Sequence, residues 1–137
     1  MKRIASGMKT LGMELDLILS SPYVRAHQTA EIAAEALNLS KKLKFSDSLK
    51  SECNPRQILE ELRKKYSGAK SVLLVGHEPH LSGLTSLLIS GREDCSVEMK
   101  KGGLCKLKVR SLDPARGSAV LKWLLTPKQL VLLAGVV

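Results

Sequence analysis

Two short, continuously apolar segments constrain the fold of this chain more than any other feature. The segments "LDLIL" (15–19) and "SVLLV" (71–75) each end in a polar turn that leads into a segment of helical character. Apolar strands without polar alternation are typical of a parallel sheet that helices cover on both faces. Strands that alternate with helices, followed by a cluster of strands, predict a three-layer α/β/α sheet in one domain of residues 1–137.

Helices are predicted from apolar periodicity and from capping residues. Helical spacing predicts a helix over 2–12, and Ser21–Pro22 and Asn54–Pro55 read as N-cap and first-turn pairs. The predicted helices span 2–12, 22–37, 55–66, 80–90 (ended by Gly91) and "TPKQLVLL" (126–133). Further strands are predicted at 42–45, 96–100, 104–110 and 119–125, the last three separated by Gly and Pro breaks.

Composition narrows the class of protein. Apolar residues make up 44% of the chain, and the longest apolar run, "LVLLAGVV" (130–137), is far too short to span a membrane. The three cysteines are odd in number and lack CxxC spacing, so neither a disulfide framework nor a zinc site is indicated. These features predict a cytoplasmic protein without membrane association, metal or cofactor.

The net charge of +9 is concentrated near the end of the chain. From residue 100 onward there are eight Lys or Arg residues and one acid, Asp113. A nucleic acid or an acidic protein could bind such a surface. With four aromatic residues in all and no nucleic-acid motif, a solvated basic face is the simpler account.

Two side chains follow the two principal strands and are candidates for an anion site. Arg25 comes after strand 15–19, and His77 comes after strand 71–75. Ligands of parallel sheets bind at the carboxyl edge, so both side chains are expected there. Arg presents a planar fork to phosphate or carboxylate, and His donates to the same oxygens or transfers a proton. Taken singly, each is equally compatible with a solvated charge or a structural histidine.

Other polar residues near these loops are weaker candidates. His27 and His80 are interpreted as supporting or surface groups. Glu52 and Glu78 are possible proton donors, although each alone reads as a solvated carboxylate.

The motifs "SSPYVRAHQTAEIAAEAL" and "VLLVGHEPHLSGL" closely resemble two sequence blocks of the histidine phosphatase superfamily. The short length, "MKKGGLCKL" and "WLLTPKQL" resemble its SixA-type phosphohistidine phosphatases. The resemblance implies a phosphoglycerate-mutase-like fold, with Arg25 and His77 as phosphate-binding catalytic residues. It also implies Glu52, weakly, as the general acid.

One family element has no counterpart here. The resemblance implies a first strand that ends in Arg-His-Gly, whose histidine is the nucleophile, yet this sequence contains no Arg-His-Gly. Its predicted first helix carries Lys2 and Arg3 in the first turn and lacks an N-cap, which is unfavourable against the helix dipole. We therefore expect an N-terminally truncated domain whose first strand is missing, which leaves an open slot inside the sheet.

The function implied is hydrolysis of phosphohistidine on signalling or carrier proteins, or of a small phosphate ester. This chain is expected to be inactive alone, because the nucleophile is absent. Two alternatives remain open: a pseudophosphatase that binds a phosphorylated partner without hydrolysis, and a basic nucleic-acid-binding module.

Overall fold

The chain forms five helices and five strands in the residues described by the computed structural model, which are 1–113 and 117–135. In chain order these are α1 (Lys2–Thr10), β1 (Leu17–Ser20), α2 (Val24–Ala36), β2 (Leu43–Phe45), α3 (Pro55–Lys65), β3 (Val72–Val75), α4 (His80–Ser90), β4 (Leu104–Val109), β5 (Ala119–Leu125) and α5 (Pro127–Ala134). Within these residues, no helix combines the length and apolar character needed to cross a bilayer.

The central sheet is parallel and has the order β2-β1-β3. Strand β1 is paired on both edges, with Ser20 opposite Phe45 of β2 and opposite Val75 of β3. All four of its residues are buried. This burial explains the absence of polar alternation in the strand, because neither face meets water.

Helices cover both faces of this sheet, and the side chains of β1 point alternately into two apolar clusters. Leu17 and Leu19 pack with buried side chains of α3 and α4. Ile18 packs on the other face, with side chains of α1, α2 and α5. The prediction of a three-layer α/β/α sandwich is thereby confirmed.

Strands β4 and β5 form a separate antiparallel sheet, with an irregularity in register between Lys106 and Leu107. A cleft of about 510 Å³ lies between this hairpin and the edge of β3, and residues of β3 and β4 line it. We call it the intersheet cleft.

Local signals place most of the helix ends correctly. Asn54 Oδ1 accepts a hydrogen bond from the Arg56 N–H at 2.9 Å at the start of α3. Gly91 ends α4 with φ of 79°, a left-handed conformation that glycine adopts readily. Thr126 and Gln129 form a reciprocal capping box at the start of α5. Met1 provides no side-chain cap for α1.

Two predicted elements differ from the structure. Helix α2 begins at Val24, not directly after Ser21, because Tyr23 is extended and the Ser21 hydroxyl is engaged elsewhere. Residues 96–100 are not a strand: their burial alternates, but the segment pairs with no strand in the described part of the chain. The predicted break before β5 includes residues 114–116, which lie outside the described residues, as do 136–137 of the apolar terminal run.

Hydrogen bonds of Asp16 connect the start of β1 to the turn before β3. This contact predicts that the stability of the protein falls in acid. Its carboxylate accepts hydrogen bonds from the backbone N–H groups of Lys70 and Ser71, at 2.7 and 3.0 Å. These bonds lower the pKa of Asp16 below its ordinary value of 3.8. Because the folded pKa is the lower one, the stabilisation is complete above pH 3.8 and is lost as the pH falls through the folded pKa.

We therefore expect Asp16→Asn to reduce stability at pH 7 and to flatten the loss of stability as the pH falls below 3.8, the ordinary pKa of the Asp carboxyl. Urea unfolding followed by circular dichroism at several pH values measures this. Glu14→Gln removes an exposed carboxylate two residues away and serves as the control. A pH profile that changes equally in both variants would contradict the role of Asp16.

Candidate functional site

The carboxyl ends of β1 and β3 lie side by side, and the turns that follow them form the candidate site. Ser20 is opposite Val75 in the register, so the segment from Ser21 and the segment from Gly76 leave the sheet at the same edge. The Ser21 N–H donates to the Val75 carbonyl oxygen at 2.9 Å, which holds the two turns together. The sheet edge thus brings two distant parts of the sequence into one place.

Ser21 and His77 are in direct contact at this edge. Ser21 Oγ lies 2.8 Å from His77 Nε2, and Ser21 is fully buried. The same hydroxyl oxygen accepts a hydrogen bond from the Tyr23 backbone N–H at 3.2 Å. A buried serine that is held by the backbone restricts the orientation of the His77 ring.

Tyr23 connects His77 to Glu52. The rings of Tyr23 and His77 lie 5.5 Å apart between centroids, and the Tyr23 hydroxyl donates to Glu52 Oε2 at 2.5 Å. This hydrogen bond lowers the pKa of Glu52 and raises the pKa of Tyr23. The Lys50 ammonium lies 5.6 Å from the centroid of the Tyr23 ring. Glu52 is consequently a carboxylate and a hydrogen-bond acceptor at neutral pH in this arrangement.

Arg25 lies in the first turn of α2, beside the backbone donors at the start of that helix. It is exposed, and its guanidinium makes no hydrogen bond or ion pair within residues 1–113 and 117–135. Helix α2 has no side-chain cap, and the N–H groups of Val24, Arg25 and Ala26 donate to no described group. Free amides at a helix start, together with a nearby cation, suit an anion.

The remaining sequence candidates have structural partners. His27 Nε2 bonds Glu31 Oε1, and its ring stacks at an angle against Phe45 with centroids 4.5 Å apart. Glu78 accepts hydrogen bonds from the N–H and the hydroxyl of Ser82, at 3.0 and 2.5 Å, and thereby caps the first turn of α4. Both contacts are local, and neither involves His77.

The structure contradicts the interpretation of His80 as a surface group. It is 4% exposed, and neither ring nitrogen has a hydrogen-bond partner in the described residues. Burial lowers the pKa of His80, and a positive charge on His77 would lower it further. The ring is therefore neutral at physiological pH and packs in the interior.

Sequence reasoning missed the two residues that contact His77. The sequence pattern predicts Ser21 as a helix N-cap and gives Tyr23 no role at the site. The available signal was the polar Ser20–Ser21 pair directly after an apolar strand. Among the described residues, no group of three or more His, Cys, Asp or Glu side chains is placed to hold a metal ion.

Several SixA proteins are among the solved structures that share this fold. A protein histidine phosphatase SixA, solved in complex with tungstate, matches with a TM-score of 0.79 and 24% identity, over 94% of this chain and 80% of that chain. A SixA from Agrobacterium tumefaciens, assigned as a phosphohistidine phosphatase, matches with a TM-score of 0.70 and 24% identity, over 92% of this chain and 77% of that chain. These likenesses establish the phosphoglycerate-mutase-like fold.

A curated relative from Picosynechococcus sp. (strain ATCC 27264 / PCC 7002 / PR-6), an uncharacterized protein, is 31% identical over 108 residues. The match covers 78% of this chain, and the chain spans 65% of the length of that relative. No family model matches the sequence.

Proposed function

We propose that this chain is a phosphohistidine phosphatase-like domain of the SixA type that binds the phosphoryl group of a phosphorylated protein or a small phosphate ester. Arg25 and His77 bind the phosphoryl oxygens, together with the free amides at the start of α2. The domain acts in the cytoplasm. The SixA fold and the sequence blocks around these two residues support the assignment.

The observation that carries the proposal is the contact between His77 and the buried Ser21. It holds one imidazole at the sheet edge where α2 begins. Arg25 belongs to that same first turn, so a cation, an imidazole and unpaired backbone donors belong to one edge. Hydrogen bonds from charged donors to an oxyanion are stronger than hydrogen bonds between neutral groups.

Phosphoryl transfer explains why such a set is useful. Its transition state spreads negative charge over the equatorial oxygens, so catalysis relies on positioning and on cationic stabilisation. In the resembled family a histidine of Arg-His-Gly attacks phosphorus, and residues 1–137 contain no such motif. The chain therefore contributes binding and charge stabilisation. Glu52, whose carboxylate accepts a hydrogen bond from the Tyr23 hydroxyl, is the candidate proton-transfer group. Because its pKa is lowered, it would accept a proton in this arrangement, whereas the general-acid role that the resemblance implies needs its protonated form.

Oxyanion binding tests the proposal directly. We expect tungstate or phosphate to shift the backbone NMR signals of residues 21–26 and 76–78. Arg25→Ala and His77→Ala should each weaken the affinity about tenfold or more, because a hydrogen bond to a charged group contributes about 1.5–3 kcal/mol.

Arg63→Ala provides a matched control, because it removes an exposed arginine from α3, away from the sheet edge. Equal losses in Arg25→Ala and Arg63→Ala would mean that the overall charge of +9 attracts the anion without a defined site. That outcome would overturn the proposal. Binding that disappears only in Arg25→Ala and His77→Ala would support it.

A further inference from the structure

Exposed apolar side chains gather at the same end of the parallel sheet as the candidate oxyanion site. Eight large apolar side chains are exposed in the described part of the chain, and three of them, Tyr23, Val24 and Phe45, lie where α2 begins and where β2 ends. Val24 is 69% exposed, the largest fraction among the eight. A single exposed apolar residue is ordinary, whereas a contiguous apolar patch with polar surroundings is typical of a binding surface.

His27 makes this patch continuous. Its ring contacts the ring of Phe45, with centroids 4.5 Å apart, and it follows Val24 by three residues on α2, a spacing that places both on one face of the helix. Tyr23 directly precedes Val24, and its ring lies 5.5 Å from that of His77 between centroids. We call the four side chains of Tyr23, Val24, His27 and Phe45 the apolar strip. It runs from the end of β2 to His77.

Two rings of the apolar strip are held in place by carboxylates. The Tyr23 hydroxyl donates to Glu52, and His27 Nε2 bonds Glu31 Oε1. Ring positions that are fixed before binding lower the entropy cost of binding. Both carboxylates are also engaged by the strip itself, so the polar ends of the two rings are satisfied and their apolar faces remain for a ligand.

The strand order sets the distance between the two ends of the strip. Phe45 ends β2, His77 follows β3, and β1 lies between these two strands. Neighbouring strands are about 4.8 Å apart, so Phe45 and His77 are separated by about 10 Å across the sheet. An extended peptide covers that distance in about three residues. A small phosphate ester bound at His77 does not reach Phe45.

Charge decides which kind of molecule suits the strip. The exposed Arg25 directly follows Val24, and the Lys50 ammonium lies 5.6 Å from the centroid of the Tyr23 ring. Cations beside an apolar surface complement a ligand that carries both a negative group and an apolar one. A second copy of the chain is a poorer occupant, because two copies with a net charge of +9 each repel one another.

We propose that the apolar strip is a specificity subsite that binds an apolar side chain about three residues away from the phosphorylated residue of an extended polypeptide segment. The inference rests on the function proposed above and narrows it: the substrate is a polypeptide and not a small phosphate ester. Arg25 and His77 bind the phosphoryl group, and Phe45 with Val24 contacts the apolar side chain. Burial of that side chain provides the preference for one polypeptide over another.

Two peptides test the subsite. Each is a capped alanine and serine peptide with a non-hydrolysable phosphonate analogue of phosphohistidine at its centre. The first carries leucine both three residues before and three residues after the centre, so that either chain direction can reach the strip, and the second carries alanine at both positions. We expect the leucine peptide to bind about fivefold more tightly or better in calorimetric titration, because a leucine side chain leaves water.

Phe45→Thr removes the ring at the far end of the strip and keeps a residue that suits a strand. We expect the preference for leucine to fall below about twofold, whereas tungstate binds as before, because Phe45 lies outside the oxyanion site. Val120→Thr is the matched control: Val120 is 46% exposed against 43% for Phe45, and it lies on β5 in the other sheet. The control should keep the full preference, and circular dichroism checks the folding of both variants.

Equal affinity for the leucine and alanine peptides would overturn the subsite, as would a preference that survives in Phe45→Thr or disappears equally in Val120→Thr. Binding of a leucine peptide with alanine in place of the phosphonate residue, at unchanged affinity, would also overturn it, because the strip would then act apart from the oxyanion site. In each of these cases intact tungstate binding leaves the proposed function standing. Failure of tungstate and of both phosphonate peptides to bind would overturn the proposed function and the subsite together.

Discussion

The purified chain of residues 1–137 is expected to hydrolyse a phosphohistidine peptide or p-nitrophenyl phosphate no faster than buffer does. Enzymes typically accelerate such reactions by about a millionfold or more, so the loss of a nucleophile is a very large effect. The sequence contains three histidines, and none lies in an Arg-His-Gly motif. His27 bonds Glu31, His80 is buried, and His77 is held by Ser21. The measurement is phosphate release under conditions in which tungstate binding is detected.

Histidine variants test the expectation that none of the three histidines acts as a nucleophile. A His27→Ala, His80→Ala double variant and a His77→Ala variant should both remain at the background rate. Their folding is checked by circular dichroism, because His80 is an interior residue. Turnover that persists in the double variant but vanishes in His77→Ala would show that His77 attacks phosphorus, which would contradict the binding role proposed for it.

Gly7→Ala is expected to destabilise the protein by about 3 kcal/mol, at the upper end of the cost of overpacking. Helix α1 passes close to α5 at this point, and a Cβ on Gly7 would lie 2.8 Å from the carbonyl carbon of Leu130 and would overlap with its oxygen. Alanine normally gains about 1 kcal/mol over glycine inside a helix. Here the backbone contact outweighs that gain, because a helix backbone cannot move aside as a side-chain end can. Urea unfolding followed by circular dichroism measures the change.

Gly68→Ala is the matched control for this substitution. A Cβ on Gly68 would meet no atom within 4 Å. We expect its stability to change by less than about 1 kcal/mol, with any gain arising from reduced freedom of the unfolded chain. Equal stability of Gly7→Ala and Gly68→Ala would mean that α1 and α5 are not in close contact at this position.

The helices and strands that were predicted correctly depend on short-range signals. Asn54 accepts from a group two residues away, and Thr126 and Gln129 bond each other across three residues. Such hydrogen bonds need only the local backbone, so the pattern of residues is sufficient to locate them. The prediction failed at residues 96–100, because a strand also needs a partner edge, and alternating residue types do not supply one.

At the candidate site, the chain order placed Arg25 and His77 after two strands, and the parallel sheet predicted a common edge. The sequence did not indicate which side chain would hold the His77 ring in place. Ser21 is 56 residues away in sequence, and Tyr23 and Glu52 are brought together over 29 residues. These contacts depend on the register between β1 and β3 and on the path of the loop before α3, which are results of packing.

The sequence by itself determined the parallel α/β class, most of the helix and strand positions, and the two side chains at the sheet edge. These properties follow from hydrophobic periodicity and from capping within a few residues. Only the tertiary structure decided which group orients His77, that His80 is buried, that α1 and α5 meet at Gly7, and that β3 and β4 border a cleft. Each of these depends on the distance between elements far apart in sequence, and that distance is set by how all the layers pack together.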